Sequence, residues 1–331
     1  MGHIRRTLTR RFTIRQLLLA VLCPFAVGFV PMVARAQRSV TVRADNDAFN
    51  FWQAPWNRPD EEYTSGVRLI LDFAGNAPWA RRGLEAPATC TDPARPCAEH
   101  SYTLGQDIYT AVRSRLQPEP LPGARPDAGV LWLSSSNRRA TANRVTELRW
   151  TVGVTGKPAL AAPLQRFFHN VAPGFNGPID WSKQLSTEPV FAASYDLRLL
   201  RTAGALGVQP HAGASLGNLL TEARAGVGLR AGRGIHVPRW MSADDRSLTW
   251  SVLGDATVRG VARNETLSGT FFRPSAHVAL KPVVTELQLG TTLRWRELGV
   301  SWTAHQTSAE YSARRGPHAW STLEASWWPR R

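Results

Sequence analysis

Lysine, cysteine and long apolar runs are all scarce in this 331-residue chain, and each shortage excludes a class of protein. Lys157, Lys183 and Lys281 are the only lysines among 40 basic residues. The arginines that make up the rest are scattered along the chain. A nucleic-acid binder would gather its cations on one patch or helix. After residue 36 no apolar run is long enough to form a transmembrane helix. Three cysteines are too few for a disulfide scaffold, and their spacing does not supply a zinc site. Cys23 falls in the N-terminal segment. Cys90 and Cys97 remain, either as a disulfide closing a small loop or as two free thiols.

What the chain does have begins with its first 36 residues. A basic stretch carrying Arg5, Arg6, Arg10, Arg11 and Arg15 precedes an apolar run from Leu17 to Val33, which ends in Ala34-Arg35-Ala36. This is the layout of a secretory signal peptide. Pro24 and Pro31 interrupt the apolar run, so a membrane anchor is the poorer reading. Cleavage after Ala36 removes six arginines and no acidic residue, and the formal charge falls from +15 to +9. For an exported basic protein the fitting acidic partner is an anionic lipid surface.

The mature part alternates with period two, as strands do. Ala223, Ala225, Val227 and Leu229 interleave with Glu222, Arg224, Gly226, Gly228 and Arg230. Thr285, Leu287, Leu289, Thr291, Leu293 and Trp295 interleave with Glu286, Gln288, Gly290, Thr292, Arg294 and Arg296. Val67, Leu69, Leu71 and Phe73 alternate with Arg68, Ile70 and Asp72. Arg, Glu and Gln share their face with glycines, which fits the packed polar interior of a small transmembrane β-barrel with an apolar lipid face. Trp150, Trp250, Trp295, Trp302, Trp320, Trp327 and Trp328 fall near expected strand ends, where an aromatic girdle would sit. The expected fold is all-β: an antiparallel up-and-down barrel of twelve strands spanning residues 37–331. The strands are placed at 39–47, 63–73, 101–110, 128–136, 143–155, 188–201, 206–216, 219–231, 247–262, 274–294, 297–309 and 319–328.

One connection, residues 156–187, is not strand-like. Pro163 suits the first position of a short helix, and in that helix Gln165 and His169 are four apart and share a face. Leu164 and Phe168 form an adjacent apolar stripe. Elsewhere Asn46-Asp47 ends the first strand and Tyr63-Thr64-Ser65-Gly66 opens the second. Either motif alone is a common turn signal. Flanking one loop at the outer end of a strand pair, they say more.

Asp45-Asn46-Asp47 followed by Glu62-Tyr63-Thr64-Ser65-Gly66-Val67-Arg68-Leu69 resembles the N-terminal signature of the outer-membrane lipid A 3′-O-deacylases. The likeness continues through Leu104-Gly105-Gln106-Asp107-Ile108-Tyr109-Thr110 and Gly156-Lys157-Pro158. It runs on through Leu164-Gln165-Arg166-Phe167-Phe168-His169 and Trp181-Ser182-Lys183-Gln184-Leu185 before Glu188-Pro189. It covers residues 39–190; the C-terminal half matches only as generic barrel. The resemblance implies a twelve-stranded barrel in a Gram-negative outer membrane. It also implies a calcium-dependent esterase site near the outer leaflet, acting on lipid A of lipopolysaccharide. The family's site residues fall on Asn46, Asp47, Thr64 and His169, with Gln165 one turn before the histidine. The family's Asp-Arg-Pro-Tyr-Ala-Gly reads here Ala124-Arg125-Pro126-Asp127-Ala128-Gly129, so the tyrosine is missing and the acid has moved. The basic residue that some members carry in the preceding loop corresponds to Arg113 or Arg115.

The chemistry these residues offer agrees with that implication. Ester hydrolysis needs a base for water and positive charge for the developing oxyanion. His169 is a suitable base near neutral pH. Asp47 and the side-chain oxygen of Asn46 are hard oxygen ligands of the kind Ca2+ prefers. Thr64 is placed to hydrogen-bond substrate or orient a ligand. Arg113, Arg115 and Arg125, with Gln165, are the candidates for binding the substrate and its phosphates. A serine mechanism is disfavoured, because no Gly-x-Ser-x-Gly elbow surrounds Ser65. Two other readings stay open at this point: a non-enzymatic barrel acting as pore or structural protein, and an outer-membrane phospholipase. A monomer is the expected state. N-terminal sequencing of the mature protein should begin at Gln37; an intact Met1 would overturn the cleaved leader.

Overall fold

The computed structural model describes residues 37–50, 62–80, 97–113, 119–171, 180–233, 235 and 248–329. The expected leader and Cys90 lie outside the described residues. Twelve antiparallel strands form one closed sheet. They are β1 (Gln37–Asn46), β2 (Glu62–Ala74), β3 (Cys97–Thr110), β4 (Ala128–Ala140), β5 (Arg144–Thr155), β6 (Pro189–Leu199), β7 (Leu206–Gly217), β8 (Leu220–Arg233), β9 (Thr249–Asn264), β10 (Val283–Trp295), β11 (Leu298–Thr307) and β12 (His318–Trp327). A short stretch, Arg201–Ala203, continues β6 past Leu200 and also pairs with β7. Sequential strands are neighbours throughout, and the β1–β12 ladder closes the ring from Val40↔Trp327 to Asn46↔Ser321.

The barrel is inside-out relative to a soluble domain. Leu216 and Leu206 are 72% and 64% exposed, and Leu229, Leu287, Leu289 and Val300 stand out on the same outer wall. The alternate positions carry charge inward. Arg68 is paired with both Asp45 and Asp107, the latter at 2.7 Å. Arg224 reaches Glu222 at 2.9 Å and Asp196 at 2.6 Å, and Arg259 reaches Glu222 at 2.7 Å. Such a pattern is stable only where the outer wall meets hydrocarbon. No described helix is long and apolar enough to cross a membrane, so the strands are the membrane-spanning elements.

The two ends of the barrel differ. Turns 141–143, 204–205 and 296–297 are tight and lie at the end where β1 starts and β12 finishes, which also carries two longer connections, 75–96 and 234–248. The opposite end carries five longer connections and one tight turn, 218–219; helix α1 (Ala161–Val171) and the one-turn helix α2 (Glu265–Ser268) lie there. Short turns face the periplasm in such barrels, so the helix end is the outer end.

Several boundaries move. β10 starts at Val283 rather than 274, because Pro274 and Pro282 cannot donate to a ladder. Helix α1 starts at Ala161, before Pro163. The turn Lys157–Ala159 ends at Leu160, in the left-handed region at φ 58°, and the helix follows at once. Pro163 then falls in the first turn, where a missing N–H costs no intrahelical bond. The tryptophans divide differently from the expected girdle. Trp250, Trp295 and Trp327 face outward at the periplasmic end, with Trp328 just beyond. Trp150 and Trp302 sit at mid-strand, and Trp320 turns into the lumen, stacked on His305 at 5.0 Å. Cys97 is buried and disulfide-bonded.

Glycine is required where side chains crowd the lumen. A Cβ at Gly66 would fall on the Tyr63 hydroxyl and lie 2.8 Å from Asp107 Oδ1. Gly66→Val should therefore lower the unfolding free energy of the detergent-refolded barrel by about 1–3 kcal/mol. Urea titration checks this, and an unchanged midpoint would show that the tyrosine moves aside freely.

Candidate functional site

The strand tips at the outer end are shaped by a β-bulge. The β2–β3 register runs Tyr63↔Tyr109, then Ser65↔Ile108, leaving Thr64 as the extra residue. The bulge turns Tyr63 inward, although Gly66 and Arg68, of opposite parity, also face the lumen. The Tyr63 hydroxyl lies 2.7 Å from Asp45 Oδ2 and 2.9 Å from Asp107 Oδ1, and Arg68 Nη2 donates to it at 3.1 Å. Thr322 Oγ1 donates to Asp45 at 2.7 Å. This lumen network pins the ends of β1, β2, β3 and β12 from behind.

On the outer side of the same wall Asn46 and Thr64 meet. Asn46 Nδ2 donates to the carbonyl of Thr64 at 2.9 Å. Thr64 Oγ1 lies 2.6 Å from Thr110 Oγ1. Asp47, 1% exposed, begins a single 3-10 turn, Asp47–Phe49. Asn50 ties that turn to β12 through Ala319 O at 2.8 Å and Ser321 Oγ at 3.0 Å.

Helix α1 lies against this wall. Ala161 packs on Ile108 beside Trp181, with Ala162 and Leu164 at the edge. A Cβ on Gly129 would stand 2.5 Å from the Ala161 methyl, so this glycine lets the helix approach β4. Gln106 Nε2 donates to Ala159 O and anchors the turn before the helix. Gln165 is buried facing the wall, where its Oε1 accepts from Trp181 Nε1 at 2.7 Å; its Nε2 has no described partner. Leu185 N donates to Asp127 O at 2.9 Å, so the segment after the helix straps it down. His169 lies within α1, one turn beyond Gln165. Its side chain, like Arg115 as a whole, lies outside the described residues.

The arginines are placed differently from the rim cations expected. Arg113 is paired with Asp127 and donates to Ala111 O at 2.9 Å. The displaced acid of the 124–129 motif thus organises the β3–β4 loop. Arg125 is 1% exposed. Its Nη2 donates to Thr266 Oγ1 at 2.6 Å, its Nη1 lies 3.5 Å from Glu62, and its guanidinium stacks over Tyr109. Glu62, at a positive φ of 68°, also accepts from Tyr311 Oη at 2.6 Å and from Arg314 Nη1 at 2.5 Å. Four connections are thereby tied across the barrel mouth. Beneath them lies a cavity of about 440 Å³, lined among others by Asp45, Arg68, Asp107, Arg259 and Glu286. Sequence reading missed this clasp because Glu62 and Arg314 are 252 positions apart.

A second rim feature also escaped it. Glu188 accepts from the N–H groups of Phe271 and Phe272 at 2.6 and 2.8 Å. It shares a hydrogen bond with Glu265, whose Oε2 accepts from Arg263 Nη2 at 2.7 Å. Burial, then the neighbouring Glu188, push the Glu265 carboxyl up to about 8. Burial works to raise Glu188 as well, but the hydrogen bonds from Glu265, Phe271 and Phe272 hold it below the usual range.

A closed sheet with an apolar outer wall and a charged lumen defines an outer-membrane β-barrel, here with a helix clamped to its outer rim. The chain belongs to the LpxR family of outer-membrane proteins, whose model matches residues 17–328. LpxR from Salmonella typhimurium has a similar solved structure, with TM-score 0.70 and 19% identity over 88% of this chain and 99% of that one. The Bordetella autotransporter BrkA β-domain (TM-score 0.44, 10% identity, 88% and 99% covered) and the Pseudomonas putida toluene transporter TodX (0.35, 9%, 89% and 90%) are more distant and add nothing to the assignment. No curated protein sequence matches.

The rim pair sets a pH dependence. Glu265 binds its proton more tightly folded than unfolded, so its contribution is fully present below pH 4.5 and is lost as pH rises towards about 8. Limited proteolysis of the 265–282 connection should accelerate above pH 8 in the wild type and become independent of pH in Glu265→Gln. A pH-independent wild type would exclude the shared proton.

Proposed function

We propose that this chain is a lipid A 3′-O-deacylase: a monomeric, calcium-dependent esterase that removes the 3′-linked acyloxyacyl chain in the outer leaflet. The observation that carries this reading is the Asn46–Thr64 contact on the outer wall, on the same face of the barrel whose β3–β4 part carries the helix bearing Gln165 and His169. A substrate reaching that outer face comes from the bilayer, not from the lumen. The clasp of Glu62, Arg125, Tyr311 and Arg314 across the mouth argues against an open pore.

In this reading His169 takes a proton from water, and the hydroxide attacks the ester carbonyl. Collapse of the tetrahedral species breaks the acyl–oxygen bond. The 3′ alkoxide leaves with the proton held on His169, and the acyl chain departs as the carboxylic acid. The Thr64 hydroxyl, held by Thr110, orients substrate or water. Gln165, fixed by Trp181, supports the helical face that carries the base. Arg113 and Arg115 are the cations assigned to the anionic sugar headgroup, whereas Arg125 serves the clasp.

The donor set suits calcium: Asp47 and Asn46 offer carboxylate and amide oxygen, the hard ligands that ion takes. Among the described residues no cluster of three His, Cys, Asp or Glu competes with it. When bound there, the ion supplies positive charge for the ester carbonyl oxygen.

Mass spectrometry of lipid A from cells expressing the inserted protein should show loss of the 3′ acyloxyacyl group, and a calcium chelator should suppress it. His169→Ala and Asp47→Ala should each slow the loss at least about 100-fold. An unchanged spectrum with calcium present refutes the assignment; cleavage of glycerophospholipids in its place would make the protein a phospholipase.

A further inference from the structure

The periplasmic rim divides into two arcs of different chemistry. Along β9 to β12 the outward positions are apolar and aromatic. Trp250, Trp295, Leu298 and Trp327 are each about half exposed on the outer wall, and Trp327 pairs with Leu298. Along β4 to β8 the same level is basic.

Strand parity fixes the direction of these cations, since residues two apart share a face. Leu133 is outward on β4, which places Arg139 outward. Trp150 and Val152 are outward on β5, which places Arg144 outward. Arg201 pairs directly with outward Val208, and Arg233 pairs directly with outward Trp250. Arg144, Arg201 and Arg233 are exposed and Arg139 is half-buried. None of the four makes an ion pair with a described residue, and the Nε of Arg139 is buried without a hydrogen-bond partner. The lumen arginines are different, since Arg68, Arg138, Arg224 and Arg259 all meet carboxylates.

Acidic residues are absent from the outward positions near this end of β4–β8, where Ser135, Asn137, Thr146, Leu199, Leu206 and Ala231 stand. The turns 141–143 and 204–205 contain none either. Arg201 and Arg233 lie just beyond the apolar belt of their strands, Arg144 one polar position past it and Arg139 two. From there a long stem lies along the hydrocarbon edge while the guanidinium reaches the headgroup layer. Guanidinium groups match phosphate oxygens in geometry and charge.

We propose that the β4–β8 arc of Arg139, Arg144, Arg201 and Arg233 is a binding surface for the phosphate headgroups of anionic phospholipids in the periplasmic leaflet. The arc gathers a shell of such lipids around the barrel. This surface lies at the opposite end from the proposed active site and does not depend on its activity.

The test uses the whole barrel reconstituted in phosphatidylcholine vesicles. Tryptophan quenching by brominated phosphatidylglycerol is compared with quenching by brominated phosphatidylcholine. Each cation at a membrane surface adds on the order of fivefold to anionic-lipid affinity at low salt. Wild type should therefore prefer phosphatidylglycerol about tenfold or more, and 0.5 M salt should erode the preference. Replacing all four arginines with glutamine should bring the ratio near one. If that variant does not insert, Arg144→Gln with Arg201→Gln should still lower the ratio at least about threefold. A wild-type ratio near one overturns the proposal, and so does a preference that survives the substitutions. A surviving preference that added lipid A abolishes would place the responsible cations at the outer end, and the proposal fails there too.

Discussion

The structure depends on one ladder, the pairing of β1 with β12 from Val40↔Trp327 to Asn46↔Ser321. In hydrocarbon no water satisfies a free backbone N–H or C=O, so an open sheet edge is prohibitive and only a closed ring is stable. Closure fixes more than the wall. It brings Asp45 to Thr322 and lets Asn50 grip Ala319 and Ser321. The turn that carries Asp47 is thus held by residues from the far end of the chain. The tip of the first strand inherits its rigidity from the last.

The two faces of that wall work as a pair. Inside, Tyr63, Arg68, Asp45 and Asp107 satisfy one another's hydrogen bonds, with Trp132 Nε1 donating to Asp107 at 2.7 Å. Breaking one partner of such a buried network leaves an uncompensated charge and costs several kcal/mol. Outside, the same strands present Asn46, Thr64 and Thr110. The bulge at Thr64 joins the two faces: one extra residue lets Tyr63 anchor inward while its neighbour stays on the outer wall.

The two ends of the barrel are built differently. The periplasmic end has tight turns, an aromatic arc and a basic arc, and is built to sit in a leaflet. The outer end has most of the long connections, cross-tied by Glu62 and by the Glu188–Glu265 pair. Those ties make the outer rim a firm support for a helix that the sheet alone would not hold. The strap through Trp181 and Leu185 completes it.

Alternation in the sequence determined the barrel, its twelve strands and which residues face lipid, because period two is a local property and burial follows it. The Asn46-Asp47 and Tyr63-Thr64 motifs and the Gln165–His169 spacing were legible for the same reason: each lies within a few residues of itself. Long-range partners were not. Arg125 reads as an exposed loop cation until Glu62 and Thr266 are brought to it. Trp320 reads as a girdle residue until closure stacks it on His305 inside the lumen. Parity reads Tyr63 as lipid-facing until the β2–β3 register reveals the bulge. Local pattern sets which way a side chain points except where a bulge intervenes, and what it meets there depends on ring closure, which joins positions hundreds of residues apart.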